Sequence, residues 1–267
     1  MLIDPVTLLE SVKQIAADAG GRILAVYNTA FGVDTKADNS PLTAADLASH
    51  QAISAGLERL TPDIPVLSEE SAARPFAERA KWALFWLVDP LDGTREFIKR
   101  NGEFTVNIAL IHNHEPILGV VYAPVTGLCY FAVRHYGAFR REPGRTAQRI
   151  AVKPLTGGPV RVVGSRSHGG EKLQAYVSRL EEHTFVAIGS SLKFCLVAEG
   201  QADIYPRLGP TSEWDTAAAQ CIVEEAGGQV LAVSGERLLY NTKESLLNPH
   251  FLVIGDPSRD WLAYLPE

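Results

Sequence analysis

Positive charge is scarce in this chain. Its 267 residues carry 25 Lys and Arg against 31 Asp and Glu, a formal net charge of -6. That balance gives no overall attraction to a nucleic-acid backbone or an anionic membrane, and no basic stripe stands out. Any phosphate that it binds must be met by bound cations or by a few local Lys and Arg. Cysteine is scarce too, with Cys129, Cys195 and Cys221 far apart in apolar runs. An odd number without a CxxC pair makes no disulfide framework. No Cys/His cluster suggests zinc. Buried thiols in a reducing compartment are expected instead. No apolar run approaches the roughly 18 to 20 residues of a membrane span. The segment Met1 to Glu10 has neither the basic nor the apolar region of a secretion signal. A cytoplasmic protein is expected, with peripheral membrane contact left open. Internal repeats and low-complexity segments are also missing.

The apolar residues that are present, 46% of the chain, suffice for a packed core. Leu8, Leu9, Val12, Ile15, Ala16, Ala19, Ile23 and Val26 fall at helical spacing and predict a helix over 6–27, capped by Asp4 with Pro5 at its first position. Gly20-Gly21 inside it marks a close helix contact or a kink. A polar loop over 35–41 leads to a second predicted helix over 43–60. Val66 and Leu67 suggest a short strand, and the apolar run 83–88 a central buried one. Runs at 105–111, 117–122, 128–133 and 138–140, separated by turn residues, predict an antiparallel meander. After Gly157-Gly158 strands and helices alternate: strands at 160–163, 185–188, 202–205, 230–232 and 251–254, helices at 171–180, 192–199 and 214–226. Two packed halves are expected, residues 1–155 of α+β type and residues 156–267 of α/β type.

The most informative segment is Trp86-Leu-Val-Asp89-Pro-Leu-Asp92-Gly-Thr94. A buried strand ends in two carboxylates. Pro90 fixes a backbone angle and removes a donor, Gly93 allows close approach of a ligand, and Thr94 opens a short predicted helix over 96–99, whose start favours an anion. A turn between strands uses the same residues. Ser68-Glu69-Glu70-Ser71 follows another short apolar run. Asp215 begins an unusually apolar stretch, where a plain cap, with Ser212 as partner, is an equally ordinary role. Together the acids suit a hard divalent cation, which takes oxygen ligands. Two such ions can clamp the attacking and leaving oxygens of an in-line displacement at phosphorus.

Asp89-Pro-Leu-Asp-Gly-Thr94, the upstream Ser-Glu69-Glu-Ser and the downstream Trp214-Asp-Thr-Ala-Ala-Ala with Glu-Glu-Ala-Gly-Gly228 resemble the inositol monophosphatase superfamily, in order and over nearly the whole chain. Leu-Asp-Gly-Thr-Arg-Glu-Phe97 and Gly189-Ser-Ser-Leu-Lys-Phe-Cys195 are most similar to its CysQ-type 3'(2'),5'-bisphosphate nucleotidases. The resemblance implies a layered αβαβα fold and a lithium-sensitive, magnesium-dependent phosphatase with two or three ions per site. It implies that Glu69, Asp89, the Leu91 carbonyl, Asp92 and Asp215 are metal ligands, with Glu70 the weaker acid of its pair. Gly93 and Thr94 would cradle the phosphate, together with Asp92 and Asp215. Asp46 in the second helix, which also suits an ordinary polar helix face, would hydrogen-bond Thr94. That pair and Glu69 would orient the attacking water, with no phosphoenzyme.

His168, Ser190, Lys193 and Arg207 would contact a bisphosphate nucleotide such as 3'-phosphoadenosine 5'-phosphate, since Lys and Arg pair well with phosphate oxygens. A snorkelling lysine, a surface ion pair and a loop histidine are the plainer readings of three of these. An inositol or sugar monophosphatase and a non-catalytic binding module remain as alternatives. A homodimer and a role in clearing a by-product of sulfate assimilation are further implications of the resemblance.

Overall fold

The computed structural model describes residues 4–35, 41–71, 74–165 and 170–266. Helices α1 (Pro5–Tyr27) and α2 (Ala44–Leu60) lie where the apolar spacing places them. The Asp4 side chain accepts the Val6 N–H at 3.0 Å and caps α1. The close contact at Gly20 is with Tyr122, because a Cβ there would stand 2.4 Å from the ring. Strands β1 (Asp34–Thr35) and β2 (Pro41–Leu42) pair at the flanks of the expected loop, whose residues 36–40 lie outside the described residues.

The larger sheet contains β3 (Val66–Ser68), β4 (Leu84–Asp92), β5 (Thr105–His112), β6 (Glu115–Ala123), β7 (Leu128–Val133), β8 (Gly137–Arg141) and β9 (Gln148–Ile150), side by side in chain order. Pairing is antiparallel from β4 onward, as the meander predicts, and β3 joins β4 in parallel. Strand β4 is longer than the apolar run suggests and continues through both aspartates. Helices α3 (Phe76–Arg79) and α4 (Thr94–Ile98) are single turns. The first was not expected, and the second begins at Thr94 rather than residue 96.

The smaller sheet is ordered β11-β10-β12-β14-β13, with β10 (Val160–Ser165), β11 (His183–Ile188), β12 (Ile204–Arg207), β13 (Gln229–Ala232) and β14 (Phe251–Ile254). Strand β10 runs parallel to both neighbours and β14 antiparallel to both of its own. Helices α5 (Glu171–Ser178), α6 (Leu192–Ala198) and α7 (Ala217–Glu225) connect them. The helix expected from residue 214 is corrected: Glu213–Asp215 form a tight 3-10 turn and α7 starts only at Ala217. The Asp215 carboxylate turns back to accept the Ser212 N–H at 2.9 Å in a capping box that closes this 3-10 turn ahead of the helix.

Alternation along the strands sorts the side chains into layers. On β4, Trp86 and Val88 face α1 and α2, while Phe85 and Leu87 face α6 and α7. On β14, Phe251 and Val253 face the same central helices, while Leu252 and Ile254 pack with Tyr176 of α5 and Trp261. The resulting order is helices, sheet, helices, sheet, helix, the expected αβαβα sandwich. Each fully buried large apolar side chain in these layers contributes about 1.5–3 kcal/mol. All three cysteines are free and buried. Among the described residues, no helix is long and apolar enough to cross a membrane.

Gly119 sets the spacing between β6 and α7, because a Cβ at this position would lie 2.1 Å from the Ala218 carbonyl oxygen. Backbone cannot swing aside as a side-chain tip can. Gly119→Ala is therefore expected to lower the urea unfolding midpoint by the equivalent of about 1–3 kcal/mol, while Gly21→Ala, which meets nothing within 4 Å, leaves it unchanged or raises it.

Candidate active site

The register of β3 on β4 brings the first two acids together. Ser68 stands opposite Val88, and the Glu69 N–H donates to the Val88 carbonyl at 3.1 Å, so Glu69 leaves the sheet beside Asp89. Between Asp89 and Asp92 the pairing of β4 with β5 is broken by a bulge. Pro90 has no N–H to give there, and the Leu91 N–H donates instead to Asp89 Oδ1 at 3.0 Å. Gly93 then takes φ +96°, a conformation that favours glycine, and α4 follows.

Helix α2 secures this strand end from one face. The Thr94 hydroxyl donates to Asp46 Oδ1 at 3.1 Å, and the Ser49 hydroxyl to the Pro90 carbonyl at 2.7 Å. His50 Nδ1 lies 2.9 Å from the Ser68 hydroxyl. Positions 46, 49 and 50 share one face by helical spacing. Asp46 also accepts the Thr43 N–H and hydroxyl, at 2.8 and 2.7 Å, so one carboxylate both caps α2 and holds Thr94.

Carboxylate oxygens of Glu69, Asp89 and Asp215 all lie within 4.8 Å of one another. The 3-10 turn delivers Asp215 from the other half of the chain. Asp92 stands beside this trio, with its Oδ2 accepting the Ser191 N–H at 2.5 Å and the Asn107 amide at 3.4 Å. Burial drives the acids away from their ordinary values. The Asp89 carboxyl is pushed well up, first by desolvation and then by the charges of Glu69, Asp92 and Asp215. Desolvation, then Asp92 and Glu69, raise Asp215 to about 8, and desolvation also raises Asp92.

These residues line a cleft of about 250 Å³, together with Leu91, Gly93, Thr94, Ser190, Lys193 and Arg207. Lys193 does not snorkel to solvent. It is buried, its Nζ donates to the Ser190 and Ile188 carbonyls, and it lies 5.4 Å from the centre of the Tyr205 ring. Desolvation lowers it to about 8, against the opposing pull of Asp92. Ser190 takes φ +50° at the entry to α6. The Arg207 guanidinium borders the cleft and donates to the Thr211 hydroxyl and the Pro210 carbonyl. His168 lies outside the described residues, and Glu70 is not part of the cleft lining. Arg95, Glu96, Ser191, Tyr205 and Thr211 also line the cleft; none was named as a site residue from the sequence, although the first three lie in the motifs quoted for the resemblance.

Five acids and three basic residues line the cleft. Oxygen-only donors, Asp89 buried and Glu69 and Asp215 half-buried, in mutual repulsion, fit a hard divalent cation. The trio can hold one, and an anion entering the cleft needs that compensation. A folded-state pKa raised above the unfolded one means that the native state holds extra protons, so this stability is present at low pH and lost as pH rises through the folded value. For Asp215 the window runs from about 4 to about 8. The thermal midpoint of the metal-free protein is expected to fall between pH 5 and pH 8, and Mg2+ to raise it more at pH 8 than at pH 5. Equal metal-induced shifts at both pH values, by differential scanning fluorimetry, would contradict this electrostatic account.

Residues 4–257 match the inositol monophosphatase family. The chain is 53% identical over 248 residues to a protein of Escherichia coli O157:H7 named 3'(2'),5'-bisphosphate nucleotidase CysQ, covering 92% of this chain and 99% of that one. A Haemophilus influenzae protein of the same name is 39% identical, with 95% of each chain covered. The crystal structure of CysQ from Bacteroides thetaiotaomicron superposes with a TM-score of 0.82 at 42% identity, over 94% of this chain and 97% of that one. An IMPase from Thermotoga maritima gives 0.77 at 25% identity over 94% of both. With the acids gathered at the end of β4 and the layered sandwich around them, the chain belongs to the inositol monophosphatase family.

Proposed function

We propose that this protein is a Mg2+-dependent 3'(2'),5'-bisphosphate nucleotidase that hydrolyses 3'-phosphoadenosine 5'-phosphate to AMP and phosphate. The observation that carries this reading is the meeting of two opposite charge clusters in one cleft, the acids of Glu69, Asp89 and Asp215 and the cations Lys193 and Arg207. The names of the relatives agree with it. In this reading residues 1–155 supply most metal ligands, and residues 156–267 supply Asp215 and the groups that select the substrate. A cytoplasmic location goes with it.

Glu69, Asp89, Asp92, Asp215 and the Leu91 carbonyl would hold two or three Mg2+ ions. When bound, such ions neutralise phosphoryl oxygens and make a water more acidic. The residues do the rest by position. Thr94 donates its only hydroxyl proton to Asp46, so the lone pairs of its oxygen are left to accept from a water. Glu69, at the rim of the trio, accepts from the same water and completes its orientation for in-line attack. Gly93 and Thr94 bring backbone close to the transferred phosphoryl group. Lys193 and Arg207 meet the second phosphate, with Ser190 and His168 as further contacts. Placement and charge neutralisation suffice, because phosphoryl transfer requires little covalent help.

Phosphate release is measured with Mg2+ from 3'-phosphoadenosine 5'-phosphate and from inositol 1-phosphate. The nucleotide is expected to turn over much faster, and Asp92→Asn to cut its turnover by about two orders of magnitude. Lithium is expected to inhibit. Preference for inositol 1-phosphate would overturn the substrate assignment and leave the metal chemistry standing.

Lys193→Ala separates the two clusters. Loss of a charge-assisted contact costs about 1.5–3 kcal/mol, so kcat/KM for the bisphosphate is expected to drop roughly 10- to 150-fold. Activity on a simple monophosphate is expected to change much less. Equal losses on both substrates would show that Lys193 serves the shared chemistry, not the second phosphate.

A further inference from the structure

Asn107 lies in the middle of β5, fully buried in the otherwise apolar run Val106 to Ile111. A buried amide costs about 1–3 kcal/mol unless it is hydrogen-bonded, and an aliphatic residue would pack there without that cost. Its partners explain its presence. On the β4–β5 ladder Asn107 stands opposite Asp89, and Thr105 opposite Asp92. Asn107 Oδ1 accepts the Ser191 hydroxyl at 2.8 Å and lies 3.2 Å from the Thr105 hydroxyl, which is itself 2.8 Å from Ser191 Oγ.

The Asp92 carboxylate, which only accepts when ionised, fixes which way the amide faces, and the two hydroxyls on the other side can then donate to its oxygen. Turned over, it would present its NH2 group to them and its oxygen to Asp92 Oδ2. As placed, the NH2 group faces Asp92 Oδ2, which also accepts the Ser191 N–H. Both donors fall on the same carboxylate oxygen, so Oδ1 remains for a cation. Ser191 leads directly into α6, which carries Lys193. The same small network therefore joins the strand that bears the acids to the segment that bears the buried lysine.

We infer that Asn107 is a positioning residue for Asp92, held in place by the hydroxyls of Ser191 and Thr105. The inference rests on the metal-site reading given above. It assigns to β5, which contributes no ligand of its own, control over how Asp92 is presented.

The test is Mn2+ binding to the full-length protein by calorimetry in the absence of substrate, alongside kcat, KM and the thermal midpoint. Asn107→Val keeps a strand-forming side chain and leaves the Thr105 and Ser191 hydroxyls bonded to each other. Changes among groups that orient metal ligands typically cost 10- to 100-fold in metal affinity or activity. Asn107→Val is expected to weaken Mn2+ binding by about 10-fold or more and lower kcat similarly, with KM within about twofold and a thermal midpoint near that of the wild type. Ser191→Ala removes one hydroxyl yet keeps the backbone donor to Asp92, so it shifts Mn2+ affinity in the same direction by less. The double variant resembles Asn107→Val alone, because both changes act through one contact.

Wild-type Mn2+ affinity in Asn107→Val would overturn the inference, whatever happens to the melting temperature. If that variant does not fold, unchanged affinity in Ser191→Ala overturns it equally. Failure of the wild type to bind Mn2+ would instead strike at the metal site itself.

Discussion

Carboxylates forced together out of water are the constraint on which the rest of this structure depends. At 4.8 Å and an effective dielectric near 20, two ionised carboxylates repel by roughly 3 kcal/mol. Three such pairs, with Asp92 beside them, would spread apart if they sat on loops. They are carried instead by regular structure: the β3–β4 register for Glu69, the bulged end of β4 for Asp89, and a 3-10 turn closed on Ser212 for Asp215. Helix α2 fastens the end of β4 through Asp46 and Ser49 and the end of β3 through His50. The scaffold thus stores an electrostatic cost that a bound cation relieves, which is how rigid placement becomes affinity.

The architecture also explains why the chain needs both halves for one site. The stretch from Glu69 to Glu96 brings four acids and Arg95 to the cleft, whereas the segment from Gly189 to Asp215 brings Lys193, Arg207 and one further acid. Helices α6 and α7 are buried between the two sheets, sharing a single core with both. The close passage of α7 over Gly119 locks that core at backbone distance. Any sliding of the halves would separate Asp215 from Asp89, so packing between the sheets and geometry of the site are one requirement.

Much of this was legible in the sequence because the signals were local. Helical spacing placed α1 and α2, alternating and continuous apolar runs placed the meander, and Asp89 to Thr94 announced a strand ending in acids. The less legible features depend on partners distant in the chain. Taken alone, Asp46 reads as a polar helix face; its bond to Thr94, 48 residues away, was expected only through the family resemblance. The Ser212–Asp215 capping that the sequence offered is present, but it closes a separate 3-10 turn, and apolar composition does not show that α7 starts only after that turn. Asn107 did leave a trace, a lone amide inside a buried strand, but its meaning appears only when Asp92 and Ser191 stand beside it. The burial of Lys193 likewise could not be read from an amphipathic pattern, since its helix is apolar on every side and closes over the amine.

Charge accounting in the cleft bears on the choice of substrate. With all five acids ionised, the three basic residues leave a surplus of negative charge, which bound divalent cations would more than cancel. Once they do, Lys193 lies among positive charges in a poorly solvated pocket, with its pKa already lowered to about 8 by desolvation. A substrate with one phosphate would compensate the metals and leave the lysine and Arg207 facing each other without an anion. A second phosphate removes that imbalance. In the reading proposed above, the same two cations would favour a ligand with two separated phosphates, and discrimination against monophosphates would follow from the charge left uncompensated rather than from a steric wall.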